Sequence, residues 1–227
     1  MKVSVIIPTM NEAESIGEVL DQISTAFSAS DLEYEAMIVD TSSTDGTPEI
    51  ARSKGAKVVD EPRRGYGVAY KSGFAAADGD IFATLDADCT YPAEIIPQLC
   101  QKLIDEELEF ITTNRFGDLE DGAMSPMHRF GNWVLTFTTN LLFRIKIKDS
   151  QSGMWVFRPE VLDRFELHSD GMPLSEEIKI EAMRKARAVE VPISYRRRVG
   201  DVKLSSWKDG GEDFFYLWRK RFLRPKA

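Results

Sequence analysis

Asp86 and Asp88, separated only by Ala87, close an apolar run that begins Ile81-Phe82-Ala83-Thr84-Leu85. A carboxylate stays charged inside a sheet only with partners. It is tolerated at the carboxyl end of a strand, near solvent, which is where open α/β sheets bind their ligands. Two hard oxygen donors one residue apart suit Mg2+ or Mn2+, ions that also bind diphosphates. The plain alternative is an ordinary turn with solvated acids. A third carboxylate, Asp40, ends the run Tyr34 to Val39 in the same way, and two acidic strand ends argue for one nucleotide crevice. Downstream, Arg198-Val199-Gly200-Asp201-Val202-Lys203 sets a guanidinium and an ammonium around a glycine. Such a pair offers phosphate a bidentate fork and a point charge, or it is simply a solvated basic face.

These residues need a scaffold, and the hydrophobic pattern supplies one. Apolar, β-rich runs at Val3–Ile7, Tyr34–Val39, Lys57–Val59, Ile81–Ala87 and Glu109–Asn114 read as strands. Between them lie helical segments. The first places Ile16, Val19, Leu20, Ile23 and Phe27 on one face, with Asn11 as its N-cap. Others follow the Thr47-Pro48 turn, run from Val68 to Ala77, and run from Pro92 to Ile104. This alternation predicts an α/β protein with a doubly wound, mostly parallel sheet and helices on both faces. The second half is less regular: a Gly/Asp-rich loop at 118–125, a strand after Met154, a helix over Glu176–Ala186 and a strand over Ala188–Tyr195. Residues 127–147 read as a helix, either in the core or lying in a membrane interface with Arg144, Lys146 and Lys148 at the headgroups. Residues 214–224 read as an aromatic, basic, amphipathic helix.

The length of 227 residues fits one large α/β domain or two small ones. Cys89 and Cys100 match neither a disulfide framework nor a zinc pattern and read as free thiols. The opening run, broken by Pro8, is too short for a secretory signal, and no stretch is long and apolar enough to span a bilayer. The net charge of −8 hides an asymmetry: residues 184–227 hold 13 Lys/Arg against 5 Asp/Glu. A basic tail on an acidic body points to an anionic partner, namely phosphate, membrane surface or nucleic acid. Nucleic acid accounts for the tail but not for the acidic strand ends, and is set aside.

Taken in order, the motifs resemble those of the family-two glycosyltransferases of GT-A fold, above all the polyprenyl-phosphate hexosyltransferases of dolichyl-phosphate mannose and glucose synthase type. Pro8-Thr9-Met10-Asn11-Glu12 resembles the opening Pro-Thr-x-Asn-Glu that lies against the nucleoside. Val39-Asp40 with Ser43-Thr44-Asp45-Gly46-Thr47 resembles the base-contacting motif. Arg63-Arg64-Gly65-Tyr66-Gly67-Val68-Ala69-Tyr70 is similar to Arg-x-Gly-Leu-Gly-x-Ala-Tyr, and Asp86-Ala87-Asp88 to the metal motif. Arg115 and Arg129 fall where the family places phosphate-binding arginines, and Gln151-Ser152-Gly153-Met154 resembles its acceptor-side motif. Arg198 to Leu204 is similar to its Arg-x-Gly-Glu-Ser-Lys-Leu phosphate site. Three positions depart: Thr41 replaces a second Asp of the base motif, Thr90 stands where mannose synthases often carry a metal-binding Gln, and Val202 replaces a Ser.

The resemblance implies an inverting transferase that moves a hexose from a nucleoside diphosphate sugar, such as GDP-mannose or UDP-glucose, to a polyprenyl phosphate. Mg2+ or Mn2+ would sit on Asp86 and Asp88. Pro8, Thr9, Asn11, Glu12, Asp40, Arg63, Gly65, Asp86 and Ala87 would bind the donor. Asp88, Arg115, Arg129, Arg198 and Lys203 would act on the phosphates. Glu177 and Glu176, which open a helix and there also suit the helix dipole, are where a base for a hydroxyl acceptor could lie. The implied layout is a transferase domain over residues 1–211, with a nucleotide-sugar half to 117 and an acceptor half beyond, followed by an amphipathic helix over 212–227. The implied location is cytoplasmic, peripheral on the inner membrane face. The alternatives are a family member with a soluble or glycan hydroxyl acceptor, or a catalytically silent nucleotide-sugar-binding module.

Overall fold

The computed structural model describes residues 1–200 and 206–223, with backbone alone for 206–210 and 212. Seven strands form one sheet: β1 Lys2–Thr9, β2 Glu33–Asp40, β3 Lys57–Asp60, β4 Ile81–Thr84, β5 Phe110–Leu119, β6 Trp155–Phe157 and β7 Ala188–Tyr195. Their spatial order is β3-β2-β1-β4-β6-β5-β7, and only β6 runs against its neighbours. The chain winds outward from β1 through β2 to β3, then returns to place β4 on the other side of β1. That reversal makes the carboxyl ends of β1, β2 and β4 a topological switch point, the standard crevice of such sheets.

The sheet is covered on both faces, as the pattern predicts. Val3, Val5 and Ile7 of β1 point to one side, where α1 (Ile16–Ser28) and α4 (Ile96–Asp105) bury Ile16, Leu20, Leu99 and Leu103. Ile6 points to the other side, toward Tyr70 and Phe74 of α3 (Tyr66–Ala76) and Ile178 of α6 (Leu174–Lys185). Period-two strands against period-3.6 helices explain this division. A short α2 (Thr47–Ser53) leads to β3. Both cysteines are buried and free.

Five local expectations are corrected. The apolar run at 81 pairs in the sheet only to Thr84; Leu85 adds one bond to Ile6 O (3.2 Å), and the chain then leaves the sheet, carrying Asp86 and Asp88 beyond the strand. β5 continues through the supposed loop to Leu119, because Asp118 and Leu119 pair with Ser194 and Tyr195 of β7. Asn11 does not cap α1; Ser15 occupies that position and Asn11 turns elsewhere. The 127–147 helix, α5 (Pro126–Phe143), is neither wholly core nor wholly exposed. It buries Asn132, Leu135, Thr136, Thr139 and Phe143 and leaves Phe130, Trp133, Phe137 and Leu141 in solvent. The last helix, α7 (Ser206–Phe222), begins six residues before the expected start at 212 and packs on α5, with Leu217 fully buried beside Leu135 and Ile180. Among the described residues, no helix is long and apolar enough to cross a membrane.

Candidate active site

The residues expected to meet the nucleoside form one hydrogen-bonded wall at the ends of β1 and β2, where Thr9 lies in register with Asp40. The Asp40 carboxylate accepts from Thr9 Oγ1 at 2.9 Å, Ser43 Oγ at 2.5 Å and Ser43 N at 2.9 Å. Thr41 donates both its amide and its hydroxyl to Thr9 O, so the residue that replaces the second Asp ties the wall together. Asn11 adopts a left-handed φ of 57°, donates N–H to Ser43 Oγ at 2.7 Å, and accepts from Thr44 N at 2.8 Å. Glu12 N donates to Thr47 Oγ1 at 2.8 Å. Pro8, Thr9, Asn11, Glu12 and Asp40 therefore belong to one surface, as the sequence order implied.

The acid pair follows β4. Asp88 is only 2% exposed, not near solvent as expected. Its Oδ1 accepts from Thr90 N at 3.1 Å and Thr90 Oγ1 at 2.6 Å, and its Oδ2 pairs with Arg198 at 2.7 Å. Asp86 is half-buried, against the backbone of Gly153. A Cβ at Gly153 would lie 2.5 Å from Tyr66 Oη and 3.4 Å from Asp86 Oδ1. Gly153 N in turn donates to Tyr91 Oη at 2.7 Å. Burial, then the charge of Asp88, pushes the Asp86 carboxyl up to about 7; Arg198 and Arg115 oppose this and Glu12 reinforces it.

This environment fits a divalent cation. Burial and the neighbouring Asp88 charge both disfavour an ionised Asp86, a cost that a bound cation would relieve, and two carboxylates one residue apart supply hard oxygen ligands. Among the described residues no cluster of three His, Cys, Asp or Glu side chains surrounds them. An open pair of this kind suits an ion that keeps water and substrate phosphates in its shell. Asp86 and the Oδ2 of Asp88 would hold it, the latter shared with Arg198.

Other expected residues are placed as follows. Gly65 is required by its φ of 146° and by the carbonyl of Asp170, which any Cβ would strike. Arg63 extends from the same turn with Nε and Nη2 on Glu61 (2.8 and 2.7 Å) and most of its surface in solvent. Arg115 is buried and already engaged: Nε reaches Asp149 Oδ2 at 2.7 Å, and Nη2 reaches Asp149 Oδ1 at 2.9 Å and Asn132 Oδ1 at 2.8 Å. Its charge acts on Asp86, but it lies within a structural pair rather than open to phosphate. Arg129 is exposed on α5 and lines a groove of about 770 Å3 with Phe130, Trp133, Phe137 and Lys148. Glu177 departs furthest from its expected role as a base. It is fully buried, one oxygen accepting from His168 N and Ser169 N and the other from Tyr216 Oη and Lys220 Nζ. It fastens α7 to the protein body. Lys203 lies outside the described residues.

Sequence reasoning gave no role to Tyr66, Tyr91, Asn132 or Asp149. Tyr66 stands where the motif has Leu, the one available signal. Gly153 gives a direct test. Gly153→Ala is expected to drive Tyr66 and Asp86 apart and lower transfer at least ~10-fold with the melting temperature little changed, since misplacement of a reacting group is costly. Initial rates and differential scanning fluorimetry check this; a wild-type rate would contradict it.

A sheet with its switch point walled by a nucleoside-side loop and an acid pair defines a GT-A transferase scaffold. Residues 4–165 match Glycosyl transferase family 2, and the chain belongs to that family. A dolichyl-phosphate hexose transferase of Haloferax volcanii is 35% identical over 210 residues, covering 91% of this chain and 88% of that protein. The low-salt glycan biosynthesis hexosyltransferase Agl6 of Haloferax volcanii is 35% identical over 228 residues; the match spans 99% of this chain but 53% of that protein, about half its length. A dolichol-phosphate mannosyltransferase of Pyrococcus furiosus is 33% identical over 216 residues, 90% of this chain and 59% of that protein. Among solved structures, glucosyl-3-phosphoglycerate synthase from Mycobacterium tuberculosis in complex with Mg2+ and UDP matches with a TM-score of 0.78 at 20% identity, covering 100% of this chain and 81% of that one. The same enzyme with Mn2+, UDP and glucosyl-3-phosphoglycerate matches at 0.75 and 21%, with the same coverage.

Proposed function

We propose that this chain is an inverting hexosyltransferase that moves a hexose from a nucleoside diphosphate sugar to a polyprenyl phosphate, held peripherally on the cytosolic membrane face. The observation that supports a lipid phosphate over a hydroxyl acceptor is the state of Glu177 and Glu176. A hydroxyl needs a base; of the two carboxylates expected to serve, Glu177 has both oxygens engaged and Glu176 is fully buried with one oxygen on Gln151. A phosphate acceptor is ionised at pH 7 and needs none.

The donor's nucleoside lies against the Thr9–Glu12 and Asp40 wall, with its diphosphate toward Asp86. A divalent ion, when bound there, stabilises charge developing on the departing diphosphate. Arg198, held on Asp88, adds a guanidinium on the same side, and Lys203 would follow it in sequence. Tyr66 and Gly153 confine Asp86 from the acceptor side. The acceptor phosphate approaches by Arg129, whose groove continues into the aromatic row of α5.

That row supplies the membrane contact. Phe130, Trp133 and Phe137 stack along the outer side of α5, at centroid separations of 6.0 and 5.8 Å. On α7, Phe215 is 74% exposed, and Trp218 and Phe222 are stacked and largely in solvent. Buried in headgroups, these rings gain apolar area, and each nearby cation adds on the order of 1 kcal/mol at an anionic surface. Removing α7 would be a poor test, since Leu217 belongs to the core. Replacing Phe130, Trp133 and Phe137 together by Ser leaves the packed side of α5 intact. Wild type is expected to float with anionic vesicles in low salt. The triple variant is expected to float far less, and to lose activity on long polyprenyl phosphates more than on short soluble analogues. Unchanged flotation and unchanged chain-length preference would exclude this membrane face and favour a soluble acceptor.

A further inference from the structure

The turn after β4 holds Thr90, whose hydroxyl and amide both reach one oxygen of Asp88 and whose side chain also hydrogen-bonds Tyr195. Thr90 is 1% exposed, and its hydroxyl is turned to Asp88. That hydroxyl donates to Asp88 Oδ1 at 2.6 Å, and its amide reaches the same oxygen at 3.1 Å. Two donors on one carboxylate oxygen fix the rotation of the carboxyl group and leave Oδ2 as its outward atom. Oδ2 is the atom that Arg198 contacts. The backbone reinforces this: Thr90 O accepts from Arg196 N at 2.9 Å, and Asp88 O accepts from Val199 N at 3.0 Å. Two carbonyls of one three-residue turn therefore hold the segment that brings Arg198 to Asp88.

We propose that Thr90 is the positioning residue of the cation centre, acting through Asp88 rather than as a ligand: its hydroxyl turns Oδ2 of Asp88 toward the ion and the diphosphate. This rests on the metal reading above. Groups that hydrogen-bond a ligating carboxylate govern affinity by keeping the ligand oriented, and their loss costs about 10–100-fold in metal binding or activity. Here the orientation has a second consequence. A freely rotating Asp88 would present either oxygen to Arg198, and the guanidinium would no longer be set beside a single outward oxygen.

The test uses the full chain and Mn2+, whose free-ion resonance disappears on binding, alone and with UDP or GDP. Thr90→Val removes the hydroxyl at nearly constant volume. It is expected to weaken Mn2+ binding about 10-fold or more, while Thr90→Ser stays within about 2-fold of wild type. Thr90→Ala serves as a second hydroxyl-free variant should valine disturb folding. In transfer assays the half-saturating Mn2+ concentration of Thr90→Val is expected to rise in parallel, with kcat at saturating Mn2+ within about 3-fold of wild type. A purely structural role would lower kcat and leave Mn2+ half-saturation unmoved. Wild-type Mn2+ affinity in a folded Val or Ala variant, or a Ser variant as weak as Val, overturns the role of Thr90 alone. A wild-type protein that binds no Mn2+ under any of these conditions overturns the metal reading together with it.

Discussion

Asp86→Asn is expected to abolish sugar transfer and, in the same protein, to raise the melting temperature. The two effects have one cause. Asp86 is pressed by burial and by the charge of Asp88, which push its carboxyl up to about 7. A neutral amide of the same shape relieves that pressure, so the metal-free fold gains stability at pH 8. On the proposed mechanism the same change also removes a hard anionic ligand from the point where charge would develop on the diphosphate. Loss of one preorganised charge-stabilising group costs ~10^2–10^3-fold, and loss of a metal ligand at least as much. Asp88 is the less clean target: replacing it leaves Arg198 and Thr90 without their partner. Thermal melting in chelator and transfer rates with added Mn2+ check both halves. An active Asp86→Asn variant would remove Asp86 from the chemistry, and a lowered melting temperature would contradict the electrostatic account of the site.

Asp149→Asn is expected to be the most destabilising single charge removal on the acceptor side, by about 3–5 kcal/mol, the range for breaking a buried pair from one end. Asp149 is fully buried and binds Arg115 through both oxygens, and its backbone carbonyl accepts from the buried Lys179 at 3.0 Å. Burial acts to raise the Asp149 carboxyl, but the Arg115 guanidinium outweighs it and holds the group well below the usual carboxylate range. A depressed carboxylate contributes stability above its unfolded pKa of about 4, and that contribution is lost as pH falls below it. Urea denaturation at pH 7 is expected to show the full loss in Asp149→Asn, and the difference from wild type to shrink on acidification. Replacing both partners, as Arg115→Met with Asp149→Leu, should recover much of the stability, because no charge then remains buried alone. A single variant within about 1 kcal/mol of wild type would contradict this.

The first half of the chain was legible because each level of its sequence agrees with the next. Period-two apolar runs alternate with helical ones, and Asp40 and the Asp86/Asp88 pair each close an apolar run, so the sequence puts them beside strand carboxyl ends; in the structure Asp40 ends β2 and Asp86 and Asp88 follow β4. What could not be read was partnership across the chain. Arg115 has the same appearance in sequence whether it awaits a phosphate or is already paired with Asp149, 34 residues on. Glu177 looks like a helix-opening acid, yet it holds α7 through Tyr216 and Lys220. Pattern also misled on α5, whose polar Thr136 and Thr139 face inward while its rings face out. Threonine can satisfy its hydroxyl in a buried helix interface, as Thr136 does on Ser150, although Thr139 Oγ1 has no partner among the described residues; nothing local announces which. Thr138 shows one such route, donating back to Val134 O at 2.8 Å. β6 was short enough, at three residues, that only its neighbours define its direction.

The central claim is transfer of a hexose from a nucleotide sugar to a lipid phosphate. Its most direct test incubates the full chain with labelled GDP-mannose, UDP-glucose and related donors, polyprenyl phosphate and Mg2+ or Mn2+, and measures label extracted into the organic phase. The account predicts organic-phase product with at least one donor, absent without polyprenyl phosphate and absent in chelator. Label that moves only to a water-soluble acceptor, or that reaches lipid at full rate in chelator, would contradict it.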